Sequence, residues 1–109
     1  MKAVFLDRST IDPTINLGAI KAIVSDYTEY NLTSPEETFE RVKDAQIIIT
    51  NKVVIDSDLM SQLPELKLIC ITATGMNNVD LDAAKENNVV VKNDDNKKND
   101  VLTLLLFVI

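Results

Sequence analysis

The sequence predicts a doubly wound parallel α/β sheet in three layers, folded as a single domain. Three observations carry that expectation. Strand-like and helix-like segments alternate from Ala3 to Val91 in the order β-α-β-α-β-α-β-α-β. Two strand candidates, Ile47-Ile48-Ile49 and Leu68-Ile69-Cys70-Ile71, are apolar without a break, as strands covered by helices on both faces are. Three of the helix candidates open on a residue able to cap free N–H groups: Ser34, Asp56 and Asp80.

Taken in order, Ala3–Leu6 is a short buried strand that stops at Asp7. Leu17, Ile20, Ile23 and Val24 fall on one helical face within residues 15–24, with Gly18 a weak point. A strand of edge type follows around Tyr27–Tyr30. Ser34-Pro35-Glu36-Glu37 combines a cap, a proline suited to the first helical position and a carboxylate able to reach back, so a helix runs to about Val42. Ala45–Thr50 is the central strand. Asp56 caps a short helix through Gln62, and Pro64 ends it. Leu66–Thr72 is the next buried strand, and residues 73–79 are a loop. Asp80 caps a helix over Leu81–Glu86, with Asn87 or Asn88 taking the left-handed position after it. Val89–Val91 is the fifth strand.

Composition narrows the chemistry. The chain has 109 residues, 46% of them hydrophobic, enough for one core without disulfide or metal staples. Eleven basic against 17 acidic residues leave a net charge of −6, which argues against nucleic acid or an anionic membrane as partner. There is no His, so imidazole catalysis and His-ligated metals are excluded. Cys70 is a lone cysteine in an apolar run, expected as a buried strand thiol, and its isolation fits a reducing cytoplasm. No apolar run approaches the ~20 residues that span a bilayer. Residues 94–100 are all polar and are expected as a linker from a 1–93 domain. Residues 101–109, all apolar but Thr103, must pack against their own domain or another chain.

In doubly wound sheets, ligands sit outside the carboxyl ends of the strands, so the loops there are the candidate sites. Asp7-Arg8-Ser9-Thr10 is expected as a capped turn, because Asp7 counters any anion that Arg8 and the hydroxyls would attract. Asn51-Lys52 places a cation after the Ile-rich strand. In Ala73-Thr74-Gly75-Met76, the glycine permits a tight turn that presents backbone amides to a carboxylate or phosphate. Either loop could equally be structural. No glycine-rich dinucleotide fingerprint and no phosphate-binding loop motif occurs, and the carboxylate pairs fall at helix starts or in the linker.

The strings Ile47-Ile48-Ile49-Thr50-Asn51-Lys52-Val53, Leu66-Lys67-Leu68-Ile69 and Ala73-Thr74-Gly75-Met76-Asn77-Asn78-Val79-Asp80-Leu81-Asp82-Ala83-Ala84 resemble one family. It is the NAD-dependent D-isomer-specific 2-hydroxyacid dehydrogenases, and within it the flavodoxin-like substrate-binding domain of the glycerate dehydrogenase or hydroxypyruvate reductase kind. The resemblance covers roughly residues 1–93. It implies that the amides of Thr74 and Gly75 hold a substrate carboxylate, that Lys52 adds a cation or a further contact, and that Asn77 organises the loop. It also implies that the catalytic Arg, Glu and His and the NAD fingerprint belong to a second domain. None of those is found here, so no catalytic, cofactor-binding or metal-binding residue is assigned, and this chain alone is not expected to bind NAD. The resulting expectation is a substrate-binding domain for a small 2-hydroxy or 2-oxo carboxylate, inactive by itself. The alternative is a non-catalytic interaction module that self-associates through residues 101–109, which otherwise read as a remnant of the interdomain helix.

Overall fold

The computed structural model describes residues 1–15, 17–73 and 75–93; Thr74, the 94–100 linker and the 101–109 segment lie outside the described residues. Within them, five parallel strands form one sheet: β1 (Lys2–Phe5), β2 (Asp26–Glu29), β3 (Ile47–Thr50), β4 (Leu68–Ile71) and β5 (Val90–Asn93), in the order β2-β1-β3-β4-β5. This is the doubly wound order whose direction reverses between β1 and β3. The helices between the strands are α1 (Gly18–Ile23), α2 (Pro35–Val42), α3 (Ser57–Ser61) and α4 (Leu81–Glu86).

The period-2 geometry of the central strands sends alternate side chains into two cores. Val4, Ile48, Ile69 and Ile71 face α2, α3 and α4, packing on Val42, Met60, Ala83 and Ala84. Ala3, Phe5, Ile47, Ile49, Leu68 and Cys70 face the other way, with Leu17 and Ile20 on the α1 side. All four residues of β3 and of β4 are buried, as their unbroken apolar runs predict. Burial pushes the Cys70 thiol up to about 12, so it packs as a small hydrophobe.

The local signals work as expected at three helices. In α2, the Glu37 carboxylate accepts the Ser34 N–H at 3.0 Å, and Pro35 occupies the first turn. Asp56 accepts Leu59 N–H at 2.9 Å, and Asp80 accepts Ala83 N–H at 3.0 Å. Asn88 takes the left-handed conformation after α4, with φ 58°, and its turn lets β5 begin at Val90. The first helix is shorter than the 15–24 pattern. Arg8 donates to the carbonyls of Asp12, Pro13 and Ile15, so that backbone is tied into a loop, and Leu17 starts α1 without a side-chain cap. Arg8 is thereby committed to the turn, in line with the structural reading of that loop.

Glu37 makes α2 sensitive to acid. The Ser34 backbone donor, and then Arg41, hold its carboxyl below the usual glutamate range. A depressed folded-state pKa adds stability above the unfolded value and loses it as pH falls through the folded one. The urea midpoint at acid pH is therefore expected to recover part of its loss in Glu37→Gln, relative to each protein's own midpoint at neutral pH. An equal loss in both proteins would assign the acid sensitivity elsewhere.

Candidate carboxylate-binding site

The reversal of strand order opens a crevice at the carboxyl ends of β1 and β3, and Asp7 closes its floor. Asp7 follows β1 directly and is buried. Its Oδ1 accepts Asn51 N–H at 2.9 Å and its Oδ2 accepts Lys52 N–H at 2.7 Å. One carboxylate thus pins both amides of the loop after β3. The Thr10 hydroxyl donates to the Asp7 carbonyl at 2.7 Å, and Asn51 Nδ2 donates to the Thr10 hydroxyl at 3.0 Å, closing a small polar network. Composition points to none of this. The signal available was an acid placed at the end of the strand that neighbours β3, which reads in isolation only as a strand stop.

This network changes what the Asn51-Lys52 loop offers a ligand. Its amides already serve Asp7, so the handle left for an anion is the Lys52 side chain. That side chain is exposed and, among the described residues, makes no ion pair. Lys52 borders a cavity of about 350 Å³ walled by Leu32, Pro35, Val53 and Val54, with Thr10 and Thr33 as its polar points beside Asp7. Arg41 stacks 4.0 Å from the Tyr30 ring and donates to the Leu32 carbonyl and the Thr33 hydroxyl, both at 2.8 Å, holding the far wall in place.

The second candidate loop is joined to the first by backbone. Ile55 and Val79 form an isolated parallel bridge: Ile55 N–H donates to the Asn78 carbonyl at 2.8 Å, and Asp80 N–H donates to the Ile55 carbonyl at 3.0 Å. The Asn78 side chain adds a bond to the Val53 carbonyl at 2.9 Å. Lys52 and Gly75 therefore belong to loops tied together at the same edge of the sheet. Asn78 thus ties the two loops, and its neighbour Asn77, the loop asparagine to which the family resemblance points, is exposed.

The conformation of Gly75 differs from the tight turn expected of it. Its φ is not positive, and a Cβ placed on it would meet only Asn77 Oδ1 at 3.9 Å, an ordinary contact. No tight turn demands it. Gly75 is exposed, and neither its conformation nor its surroundings hold the position to glycine. Thr74, assigned beside it, lies outside the described residues.

The turn after β1 differs from one that holds a dinucleotide. In nucleotide-binding units of this architecture the diphosphate rests on a glycine-rich turn between the first strand and its helix. Here that turn begins with the buried Asp7 carboxylate, has no glycine before Gly18, and uses its arginine on its own carbonyls. Among the described residues no group of three His, Cys, Asp or Glu is placed to hold a metal, and no helix is long and apolar enough to cross a membrane.

Comparison with known proteins agrees with this fold. Residues 9–98 match the model of the D-isomer specific 2-hydroxyacid dehydrogenase catalytic domain. A protein of Haemophilus influenzae named as a 2-hydroxyacid dehydrogenase is 53% identical over 93 residues, covering 85% of this chain and 29% of that protein. Glycerate dehydrogenase of Methylorubrum extorquens is 43% identical over 93 residues, covering 84% of this chain and 29% of the enzyme. The fold matches NAD⁺-bound 3-phosphoglycerate dehydrogenase of Entamoeba histolytica with a TM-score of 0.70 at 24% identity, over 85% of this chain and 32% of that one. The chain thus spans under a third of the length of these relatives.

Proposed function

We propose that this chain, which belongs to the D-isomer specific 2-hydroxyacid dehydrogenase family through its catalytic domain, supplies the carboxylate clamp for a small 2-hydroxy or 2-oxo acid. The observation that carries the proposal is the backbone bridge between Ile55 and Val79, which sets the Lys52 loop and the Gly75 loop side by side. The amides at Thr74 and Gly75 take the carboxylate oxygens, and the Lys52 ammonium balances their charge. An anion held by oriented amides and a cation at the rim of a partly dry crevice is recognised without reference to the rest of the molecule. The clamp therefore selects the acid group that all such substrates share.

Hydride transfer lies beyond these residues. The reaction needs a nicotinamide and an acid–base group at the substrate oxygen; the chain carries no His, and among the described residues no glycine-rich turn follows β1. The relatives' names assign them oxidation or reduction of glycerate or hydroxypyruvate, and that chemistry is proposed here for a complete protein that joins this domain to a coenzyme domain. The 109-residue chain alone is expected to leave NADH unoxidised in the presence of hydroxypyruvate.

Two measurements test the clamp. In an NMR titration of the isolated chain with hydroxypyruvate or D-glycerate up to roughly 10 mM, a weak-binding range, the amides of residues 74–76 should shift. Lys52→Ala should weaken that binding several-fold. Gly75→Ala should leave stability within about 0.5 kcal/mol, because its methyl meets only an ordinary contact, while still reducing carboxylate binding. Shifts confined to other parts of the sheet, or binding unaltered in both variants, would remove the clamp from these loops.

A further inference from the structure

The cavity beside Lys52 has more room than a carboxylate alone needs. It measures about 350 Å³, and Leu32, Pro35, Val53 and Val54 wall it. Leu32 and Val54 are 67% and 63% exposed, the two highest values among the large hydrophobic side chains described. Neither belongs to a core cluster. Apolar residues scattered singly over a surface need no explanation. A pair that flanks one concave space marks a place where an apolar group is buried on binding.

The polar side chains around the cavity are already engaged, with one exception. The Thr33 hydroxyl donates to the Leu6 carbonyl at 2.7 Å and accepts from Arg41 at 2.8 Å. The Thr10 hydroxyl donates to the Asp7 carbonyl and accepts from Asn51 Nδ2. Both carboxylate oxygens of Asp7 accept backbone N–H groups. The exception is the Lys52 side chain, which enters no ion pair among the described residues. An occupant therefore meets apolar walls and a cation at the rim. A hydroxyl carried into that space would give up water and gain little in exchange. The Asp7 carboxylate repels a second anion, which keeps an acid group at the rim beside Lys52.

We propose that this cavity takes the apolar side chain of a 2-oxo or 2-hydroxy acid whose carboxylate pairs with Lys52. The ligand class is then acids with aliphatic or aromatic side chains of about four to eight carbons, ahead of hydroxypyruvate with its hydroxymethyl group. The size follows from the volume. An apolar cavity of about 150 Å³ holds a benzene ring, so this space exceeds what a hydroxymethyl group fills. Each buried methylene favours binding by about fourfold, and the open rim leaves part of that unrealised. The inference rests on the clamp proposed above only in its use of Lys52.

NMR titrations of the 109-residue chain with 4-methyl-2-oxopentanoate and with hydroxypyruvate test it. The branched acid should bind at least ~10-fold more tightly, about the gain from burying two methylenes. It should also shift the methyls of Leu32, Val53 and Val54, and Lys52→Ala should weaken its binding several-fold. Leu32→Ala and Val54→Ala, at exposed positions outside the core, should each cut the ratio between the two acids several-fold. Equal affinities, cavity methyls that stay still with the branched acid bound, or a ratio unchanged in both variants would overturn the proposal. Hydroxypyruvate shifting residues 74–76 without any preference for the branched acid would remove the cavity and leave the clamp. Cavity methyls moving while residues 74–76 stay fixed would remove the Gly75 part of the clamp and leave the cavity. No binding of either acid up to roughly 10 mM would remove both.

Discussion

Replacing Asp7 by Ala is expected to lower the unfolding free energy by about 3 kcal/mol, a large loss for a single polar side chain. The magnitude follows from what the carboxylate does. It is buried and accepts two backbone N–H groups from consecutive residues, at 2.9 Å from Asn51 and 2.7 Å from Lys52. Bonds to an ionised acceptor contribute about 1.5–3 kcal/mol each, and removing the acceptor strands both donors in a partly buried crevice. Water entering the cleft can recover part of that, which keeps the sum near the lower end. Asp7→Asn separates charge from shape. Its amide oxygen can serve one N–H, but its NH₂ then faces the other, so roughly 2 kcal/mol should still be lost. Urea denaturation of the three proteins measures both values. The same substitutions should weaken carboxylate binding, since Lys52 depends on Asp7 for the position of its backbone. A loss below about 0.5 kcal/mol in Asp7→Ala would mean that water satisfies these amides and the floor of the crevice is not built by Asp7.

Asp7 also shows where sequence reasoning stops. Strand and helix identities were legible because each is a local pattern: the β-branched run at Ile47–Ile49, the capping carboxylates of Asp56 and Asp80, the left-handed Asn88. The candidate loops were legible because parallel sheets place them at one end. What could not be read is any bond that depends on which strands become neighbours. Asp7 meets Asn51 and Lys52 across 44 and 45 residues of chain only because β1 lies beside β3. The start of α1 departs from its apolar spacing for a related reason. The apolar spacing over 15–24 is helical, but Arg8 takes the carbonyls that would have opened the helix, and its reach is set by the turn after β1. For Gly75 the sequence suggests a tight turn that presents backbone amides. Its φ is not positive and a Cβ there would meet only an ordinary contact, so neither strain nor crowding in the structure requires glycine.

The bridge residue Ile55 should give the other large effect, and it links stability to the site in one side chain. Ile55 is fully buried among the residues packed by α3 and α4, and its backbone is the bridge to Val79. Ile55→Ala removes buried methyl and methylene groups from a packed core, which costs about 2–5 kcal/mol depending on how far the surroundings collapse. Its neighbour Val54 is 63% exposed at the cavity rim, so Val54→Ala should stay within about 0.5 kcal/mol and serves as the control. The two adjacent substitutions thus differ in expected effect because they point to opposite sides of the same loop. Hydrogen exchange gives the second readout. The N–H groups of Ile55 and Asp80, which make the bridge, should exchange faster in Ile55→Ala by more than the global loss of stability explains, because the side chain that seats the bridge is gone. Carboxylate binding should weaken with them, since the Lys52 and Gly75 loops would no longer share a fixed spacing. If Ile55→Ala were to cost under about 1 kcal/mol and leave both amides protected, the bridge would be held by Asn78 and the backbone alone, and the two loops would be joined without the core.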